Sequence, residues 1–301
     1  MLDAGSVPAE ETRVIGIVTA RGDSDPCCYE LMQAATRRVG GAYIDPLSLS
    51  IDLCHGGQVL AGDAPADRFD ALILRGLNHQ GEVDLQFEIF ELLEARGMPI
   101  LNSSRAVSLA ESKPVSLQMM RAAGIPIPRT LACQTEEPLR EALHEFGTAV
   151  IKPLYGALGI GVERIHWPDD ENRIGSCLEE WGALCIQEYI DSGGEDIRAF
   201  LVGGTVFGAV KRIAQNGEWR TNVHQGGHCI PYELTGRENE LCRSAARLLG
   251  LEYTGIDILH DASGPLLLEV NGAPQWQGLA AATGLDVAGA VVDRALTLAK
   301  R

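Results

Sequence analysis

Apolar positions in the first third of the chain fall into short unbroken runs separated by amphipathic stretches. RVIGIV (13–18) is apolar and β-branched over a strand's length, which predicts a buried strand. Tyr29 to Val39 has helical spacing and ends at Gly40-Gly41. RFDALIL (68–74) is a second buried run. Asp84 can cap a helix from Leu85 to Arg96 that stops at Gly97, and MPILN (98–102) is a third strand. This alternation predicts a small parallel α/β domain over residues 12–105.

The pattern then changes. Ser104 to Ala123 is helical in spacing, broken at Gly124 and by the prolines of GIPIPRT. Pro138 to Phe146 reads as a short helix and TAVIK (148–152) as a strand that Pro153 ends. A glycine-rich loop, Gly156 to Gly161, precedes a strand near 162–166, a helix, and the strand ALCIQEYI (183–190). These residues form a middle segment, 106–190. The last segment, 191–301, reads as an antiparallel sheet. DIRAFLV (196–202) and TVFGAVKRI (205–213) meet at a tight turn, Gly203-Gly204. A helix over 238–249 follows, then the strand pair YTGIDIL (253–259) and PLLLEVN (265–271), and a C-terminal helix over 286–299.

Polar residues that interrupt these strands carry the chemistry. In LLLEVN, alternation sends Glu269 and Asn271 to one face and Leu268 and Val270 to the core. Asp257 likewise interrupts GIDIL. If the two strands are neighbours, two carboxylates and an amide oxygen converge as hard-oxygen ligands for magnesium; otherwise each acid pairs locally at a sheet edge. Lys152 ends an apolar strand just before the glycine loop, where backbone N–H groups can cover phosphate oxygens. The loop alone reads equally well as a flexible turn. A lysine at that position needs an anion to offset its desolvation.

Charge sharpens this. The chain carries 41 acidic and 25 basic residues, a formal charge of −16, which disfavours nucleic acid and anionic membranes as partners. Against that field Arg198, Lys211, Arg212 and Arg220 stand close together, either as a phosphate and carboxylate clamp or as solvated strand faces. Lys211 and Arg212 point to opposite faces, so one of the two serves a site. The eight cysteines show no CxxC pair and read as reduced thiols. Without a long apolar run or a signal-like N-terminus, a cytoplasmic protein is expected.

From about residue 68 onward the chain resembles the RimK-like branch of ATP-grasp ligases. The resemblance rests on ESKPVSLQMMRAAGIPIPRT, VIKPLYGALGIGV, IQEYI, EDIRAFLVGG, VKRIAQNGEWRTNVHQGG, YTGIDIL and LLLEVNGAP, in that order. It implies an ATP-grasp fold, α/β plus α+β, with central and C-terminal subdomains following the N-terminal domain. It also implies roles. Lys113 and Lys152 contact ATP phosphates under a lid that includes Gly156, Gly159 and Gly161. Gln187, Glu188, Tyr189 and Ile190 line the adenine pocket, and Asp196 holds the ribose. Arg220 meets the phosphates, with Arg212 and Asn222 near the reacting groups. Asp257, Glu269 and Asn271 bind two magnesium ions, with manganese as a substitute. The family's HRGG loop reads HQGG here, with Gln225, and the stretch after the metal asparagine is Gly272-Ala-Pro-Gln-Trp276. Both departures lie where substrates bind.

The resemblance implies ADP-forming ligation of L-glutamate to the carboxylate of a small-molecule acceptor through an acyl-phosphate, by a homo-oligomer. Residues 75–83 and the helix after them are most similar to tetrahydromethanopterin:α-L-glutamate ligases. A ribosomal-protein glutamate ligase, a ligase acting on an amino-acid carrier or peptide, and a non-catalytic ATP-binding module are the other readings.

Overall fold

The computed structural model describes residues 13–54, 56–154, 161–215, 218–221 and 226–300. By contact they divide into two compact units, one holding the residues up to Leu101 together with those from Ala288 onward, the other Asn102–Val287.

In the first unit, strands β1 (Ile15–Val18), β2 (Gly41–Ile44), β6 (Ala71–Leu74) and β7 (Ile100–Leu101) form a parallel sheet in the order β2-β1-β6-β7. β1 and β6 are buried throughout, as their unbroken apolar runs require. Helix α1 (Pro26–Arg38) starts where Asp25 accepts a hydrogen bond from the Cys28 amide and Pro26 takes the first helical position. Helix α2 (Val83–Ala95) links β6 to β7. Strands β3 (Leu49–Asp52), β4 (Gln58–Ala61) and β5 (Ala64–Pro65) make a separate three-stranded sheet that the sequence pattern did not predict. Helix α9 (Val287–Leu298) joins this unit through the Arg38–Asp293 ion pair at 2.6 Å.

The second unit begins with two helices rather than the single helix the spacing suggests. They are α3 (Ser104–Glu111) and α4 (Lys113–Ala122), separated by an extended Ser112. Pro114 is the reason: it has no N–H to continue the ladder, but it is tolerated in the first turn of a new helix. Lys113 is thereby placed at a helix start.

Strands β8 (Thr130–Cys133), β9 (Thr148–Pro153), β10 (Glu163–His166) and β11 (Leu184–Glu188) form an antiparallel sheet, β10-β9-β11-β8. Helices α5 (Glu136–Phe146) and α6 (Asn172–Trp181) pack on it through Leu139, Leu143, Ile174 and Cys177. A second sheet, β14-β13-β12-β15-β16, is also antiparallel. It comprises β12 (Glu195–Val202), β13 (Thr205–Ile213), β14 (His228–Pro231), β15 (Tyr253–Asp261) and β16 (Gly264–Asn271). At the β12–β13 turn Gly203 and Gly204 both have positive φ, 59° and 77°, as a two-residue hairpin needs. Helix α7 (Gly236–Leu249) lies under this sheet, burying Cys242, Ala246 and Leu249 against Ile197, Ile256 and Ile258. The short helix α8 (Gln277–Thr283) follows β16.

One sequence expectation is corrected here. A bulge opposite the Asp257–Ile258 step shifts the register, so Asp257 faces Glu269 while Ile258 faces Leu267. The β16 side chains in the core under α7 are therefore Leu267 and Val270, and Leu268 is only half-buried. The extra residue keeps Glu269 and Asp257 side by side.

Candidate active site

Two strand registers assemble the site within the second unit. On β15 and β16, Asp257 is paired with Glu269 and Gly255 with Asn271. On β12 and β13, Asp196 is paired with Arg212, and Arg198 lies opposite Asp257 across the β12–β15 pair. Side chains at directly opposed positions share a face, so the registers gather five charged groups on one surface of the sheet.

A buried ionic array results. Arg212 is 6% exposed; its Nε donates to Asp196 Oδ1 at 2.7 Å and its Nη2 to Asp196 Oδ2 at 2.5 Å. The same Nη2 lies 2.9 Å from Asp257 Oδ2. Arg198 holds Asp257 with Nε on Oδ1 and with Nη2 on Oδ2 at 2.9 Å. Thr221 Oγ1 donates to Asp196 Oδ2 at 2.6 Å. Burial by itself would push Asp257 toward its neutral form, but Arg198 and Arg212 outweigh it and hold the carboxyl below its usual range. Burial likewise disfavours the Arg212 charge, and Asp257 and Asp196 more than restore it.

Glu269 and Asn271 differ from Asp257. Both are half-buried. Among the described residues Glu269 makes no hydrogen bond or ion pair, while Asn271 Nδ2 donates to Gly255 O at 3.2 Å, turning its amide oxygen the other way. Asn102, fully buried, fixes this end of the sheet. Its Nδ2 donates to Tyr253 O at 2.7 Å and Gly272 O at 2.6 Å, and its Oδ1 accepts from the Glu252 and Tyr253 amides at 2.7 and 3.1 Å.

Lys152 projects from the end of β9. It sits on the same face as Gln187 of β11, one diagonal position away, and its Nζ donates to Gln187 Oε1 at 2.8 Å. Gln187 is 2% exposed and passes the chain on to Thr130 Oγ1 at 3.0 Å. Burial lowers the Lys152 pKa; Glu269 and Asp257 are close enough to raise it, and Lys113 is close enough to lower it further. The first sheet's lysine thus shares a field with the second sheet's acids. Gly161 has φ +72°, and a Cβ there would come within 3.1 Å of Trp181 and 3.3 Å of Pro153.

The remaining expected residues fall around this centre. Glu188 forms a bidentate pair with Arg129 at 2.9 and 3.0 Å, which pulls its pKa down. The Tyr189 ring meets Trp219 edge-on at 5.9 Å, and the Arg164 guanidinium lies over both rings at 5.0 and 5.7 Å. Ile190 is half-buried. Arg220 is bidentate with Glu218 at 3.1 and 2.9 Å, and the hydrogen bonds from Arg220 hold Glu218 down at about 2. Gly156, Gly159, Asn222 and Gln225 lie outside the described residues. Asp196 is 5% exposed and engaged by Arg212 and Thr221 through both oxygens, a setting that sequence reasoning did not anticipate. Asn102, Thr130, Trp219 and Thr221 also went unread. Only the cross-strand register could have exposed the Asp196–Arg212 pair, and nothing local marks Asn102.

Comparison with known proteins gives the family. A model of the RimK-like ATP-grasp domain matches residues 110–295. The chain belongs to that family. A probable alpha-L-glutamate ligase of Legionella pneumophila (strain Corby) is 37% identical over 239 residues, covering 77% of this chain and 78% of that protein. The tetrahydromethanopterin:alpha-L-glutamate ligase of Methanosarcina acetivorans is 34% identical over 272 residues, covering 80% and 82%. Among solved structures, the ATP-grasp ligase PsnB complexed with minimal precursor, Mg and ADP aligns with a TM-score of 0.74 at 23% identity. That alignment covers 95% of this chain and 98% of that one, and it shows a shared fold. This RimK-like chain is therefore an ATP-grasp ligase, and ligases of this fold form ADP and a C–N bond. The expected ATP-grasp class, with one parallel and several antiparallel sheets, is the observed one. No helix among the described residues is long and apolar enough to cross a membrane.

Proposed function

We propose that this chain adds L-glutamate to the carboxylate of a small-molecule acceptor of the pterin-cofactor-tail type. The carboxylate is first phosphorylated by ATP and then attacked by the amine of glutamate. The observation that carries the reading is the half-buried Lys152 ammonium, tied to neutral Gln187 and facing the Asp257–Glu269 pair. Among the described residues no carboxylate lies within ion-pair distance of it. An ammonium placed so is suited to a phosphate, and its burial costs free energy until one arrives.

The donor set fits magnesium. Glu269 Oε, Asn271 Oδ1 and the oxygens of Asp257 are hard ligands, and one or two carboxylates are what magnesium asks of a protein that binds it with phosphates. No group of three or more His, Cys, Asp or Glu among the described residues offers a richer set. When bound, one or two such ions would neutralise charge developing on phosphate oxygens, and manganese could serve in their place.

The chain's own groups account for the rest. Lys152 and Lys113 supply fixed positive charge for the phosphates. Arg212 is locked by Asp196 and Asp257 through Nε and Nη2, which leaves Nη1 as the donor group to steady an oxyanion. Arg220 would exchange Glu218 for a phosphate, and the resemblance assigns Asn222 to the reacting groups. Gln187 to Ile190 would line the adenine, with the lid of Gly156, Gly159 and Gly161 closing over the phosphates. A ribose hydroxyl would share Asp196 with its present partners. The acceptor class is supported by the Methanosarcina relative and by residues 75–83. A cytoplasmic homo-oligomer belongs to the same proposal.

The test is turnover of purified protein with ATP, Mg2+, L-glutamate and a panel of carboxylates, including a pterin with a carboxylate tail and a ribosomal-protein C-terminal peptide. ADP and phosphate should appear only when glutamate and the pterin acceptor are both present. Preference for the peptide would move the acceptor to a protein; AMP formation, or nucleotide binding without turnover by any acceptor, would reject the mechanism. Glu269→Gln should remove turnover while leaving the far-ultraviolet circular dichroism unchanged.

A further inference from the structure

We propose that Arg198 is the resident counter-ion of Asp257 and competes with a divalent metal for it, so that metal binding draws the carboxylate away from the guanidinium fork. The proposal rests on the metal reading above. Both arginines of the array touch Asp257, but they are held differently. Arg212 also grips Asp196 through two hydrogen bonds, whereas among the described residues Arg198 donates only to Asp257. The Arg198 and Asp257 side chains are 14% and 6% exposed, so the carboxylate would stand poorly compensated if nothing occupied this position.

The backbone has a recess for the guanidinium. Gly255 lies two residues before Asp257 on β15, and a Cβ there would sit 3.0 Å from Arg198 Nη1 and 3.2 Å from Arg198 Cδ. The missing side chain lets Arg198 lie across the strand and reach Asp257 with two donors.

Charge gives the exchange its direction. Arg198 and Arg212 balance Asp196 and Asp257, so the buried array is neutral as it stands. A divalent ion held by Asp257 and Glu269 would add two positive charges to the field at the Arg198 fork. The arginine with a single partner is the one that yields. Arg198 would then set the metal affinity of the site and hold Asp257 oriented before metal arrives.

The test is Mn2+ binding, read by electron paramagnetic resonance at fixed ionic strength with and without ADP. Arg198→Met should bind Mn2+ about tenfold tighter than wild type and Arg198→Lys, which keeps the charge but loses the fork, about threefold tighter. Equal or weaker binding by both variants overturns the proposal. Tighter binding by Arg198→Met with Arg198→Lys unchanged also overturns it, because Arg198 would then act only as a fixed field. Independently of variant folding, the Nε–H resonance of Arg198 in the wild-type protein should move on addition of Mg2+ while that of Arg212 stays. An unmoved Arg198 signal refutes the exchange. Glu269→Gln separates the two layers: Mn2+ binding unaffected by that change means the metal reading itself is wrong.

Discussion

Replacing Asn102 by Asp tests how the fold holds the ligand-bearing strands. The substitution conserves shape and changes one atom's chemistry. Asn102 Nδ2 now donates to two carbonyl oxygens, Tyr253 O at 2.7 Å and Gly272 O at 2.6 Å, in a fully buried position. An ionised Asp would set an anionic oxygen against both. The folded variant must therefore protonate, which from a carboxyl pKa of about 3.9 costs about 4 kcal/mol at pH 7. A protonated Asp still has one donor for two acceptors, which adds roughly 1–3 kcal/mol for the unsatisfied carbonyl. The sign follows from linkage. With its folded pKa raised, the variant binds an extra proton when folded, so its deficit against wild type grows as pH rises and shrinks as pH falls toward 4. Urea denaturation of both proteins between pH 4.5 and 8 should show a stability difference that widens by about 1.4 kcal/mol per pH unit. Asn102→Leu, which has no titrating group, should lose stability by a pH-independent amount. A flat difference for Asn102→Asp, or one under about 1 kcal/mol, would mean that Asn102 does not carry the bonds that tie Glu252 and Tyr253 to Gly272.

Lys152→Met should weaken ADP binding at least about tenfold, through loss of a desolvated charge, without lowering the melting temperature, since an ammonium is no longer buried; ADP titration alongside thermal melting checks both, and retained affinity would remove Lys152 from the phosphate site. Asp257 and Glu218 have depressed folded pKa values, so each contributes stability above its ordinary value, 3.8 or 4.5, that disappears as pH falls toward about 2. Acid titration of Glu218→Gln should accordingly show a shallower loss between pH 4.5 and 2, and an unchanged slope would deny the Arg220 pairing. The Cys242 thiol, pushed up to about 12 by burial, should resist iodoacetamide until the protein is denatured, whereas exposed Cys54 should label in the native state. Equal native rates would contradict the packing of α7.

Much of this was legible along the chain. Unbroken apolar runs marked β1 and β6 as buried strands and β7 as a third strand, and strand-length apolar stretches around the Gly203-Gly204 turn and the HDASG turn marked β12, β13, β15 and β16. Single acids inside apolar strands pointed to Asp257 and Glu269. These signals are local: strand burial and side-chain alternation repeat every one or two residues, so a window of eight positions contains them. The β3–β5 sheet and β14 were missed because their strands have few apolar positions and exposed faces, which leaves no periodicity to read.

What the amino-acid order determined by itself is a partial inventory: the apolar strands of the main sheets, the polar residues on them, and the turn at the Gly203-Gly204 pair. What only tertiary structure decided is partnership. The bulge at Leu268 selected Leu267 for the core, and the β12–β13 and β12–β15 registers made Arg212 and Arg198 the counter-ions of Asp196 and Asp257. Asn102 became a hub for residues about 150 positions away. Pairing across strands depends on register, and a shift of one residue would turn every one of these charges to the opposite face. No local stretch encodes that choice, because it is made by the free energy of burying Ile256, Ile258 and Val270 together beneath the sheet.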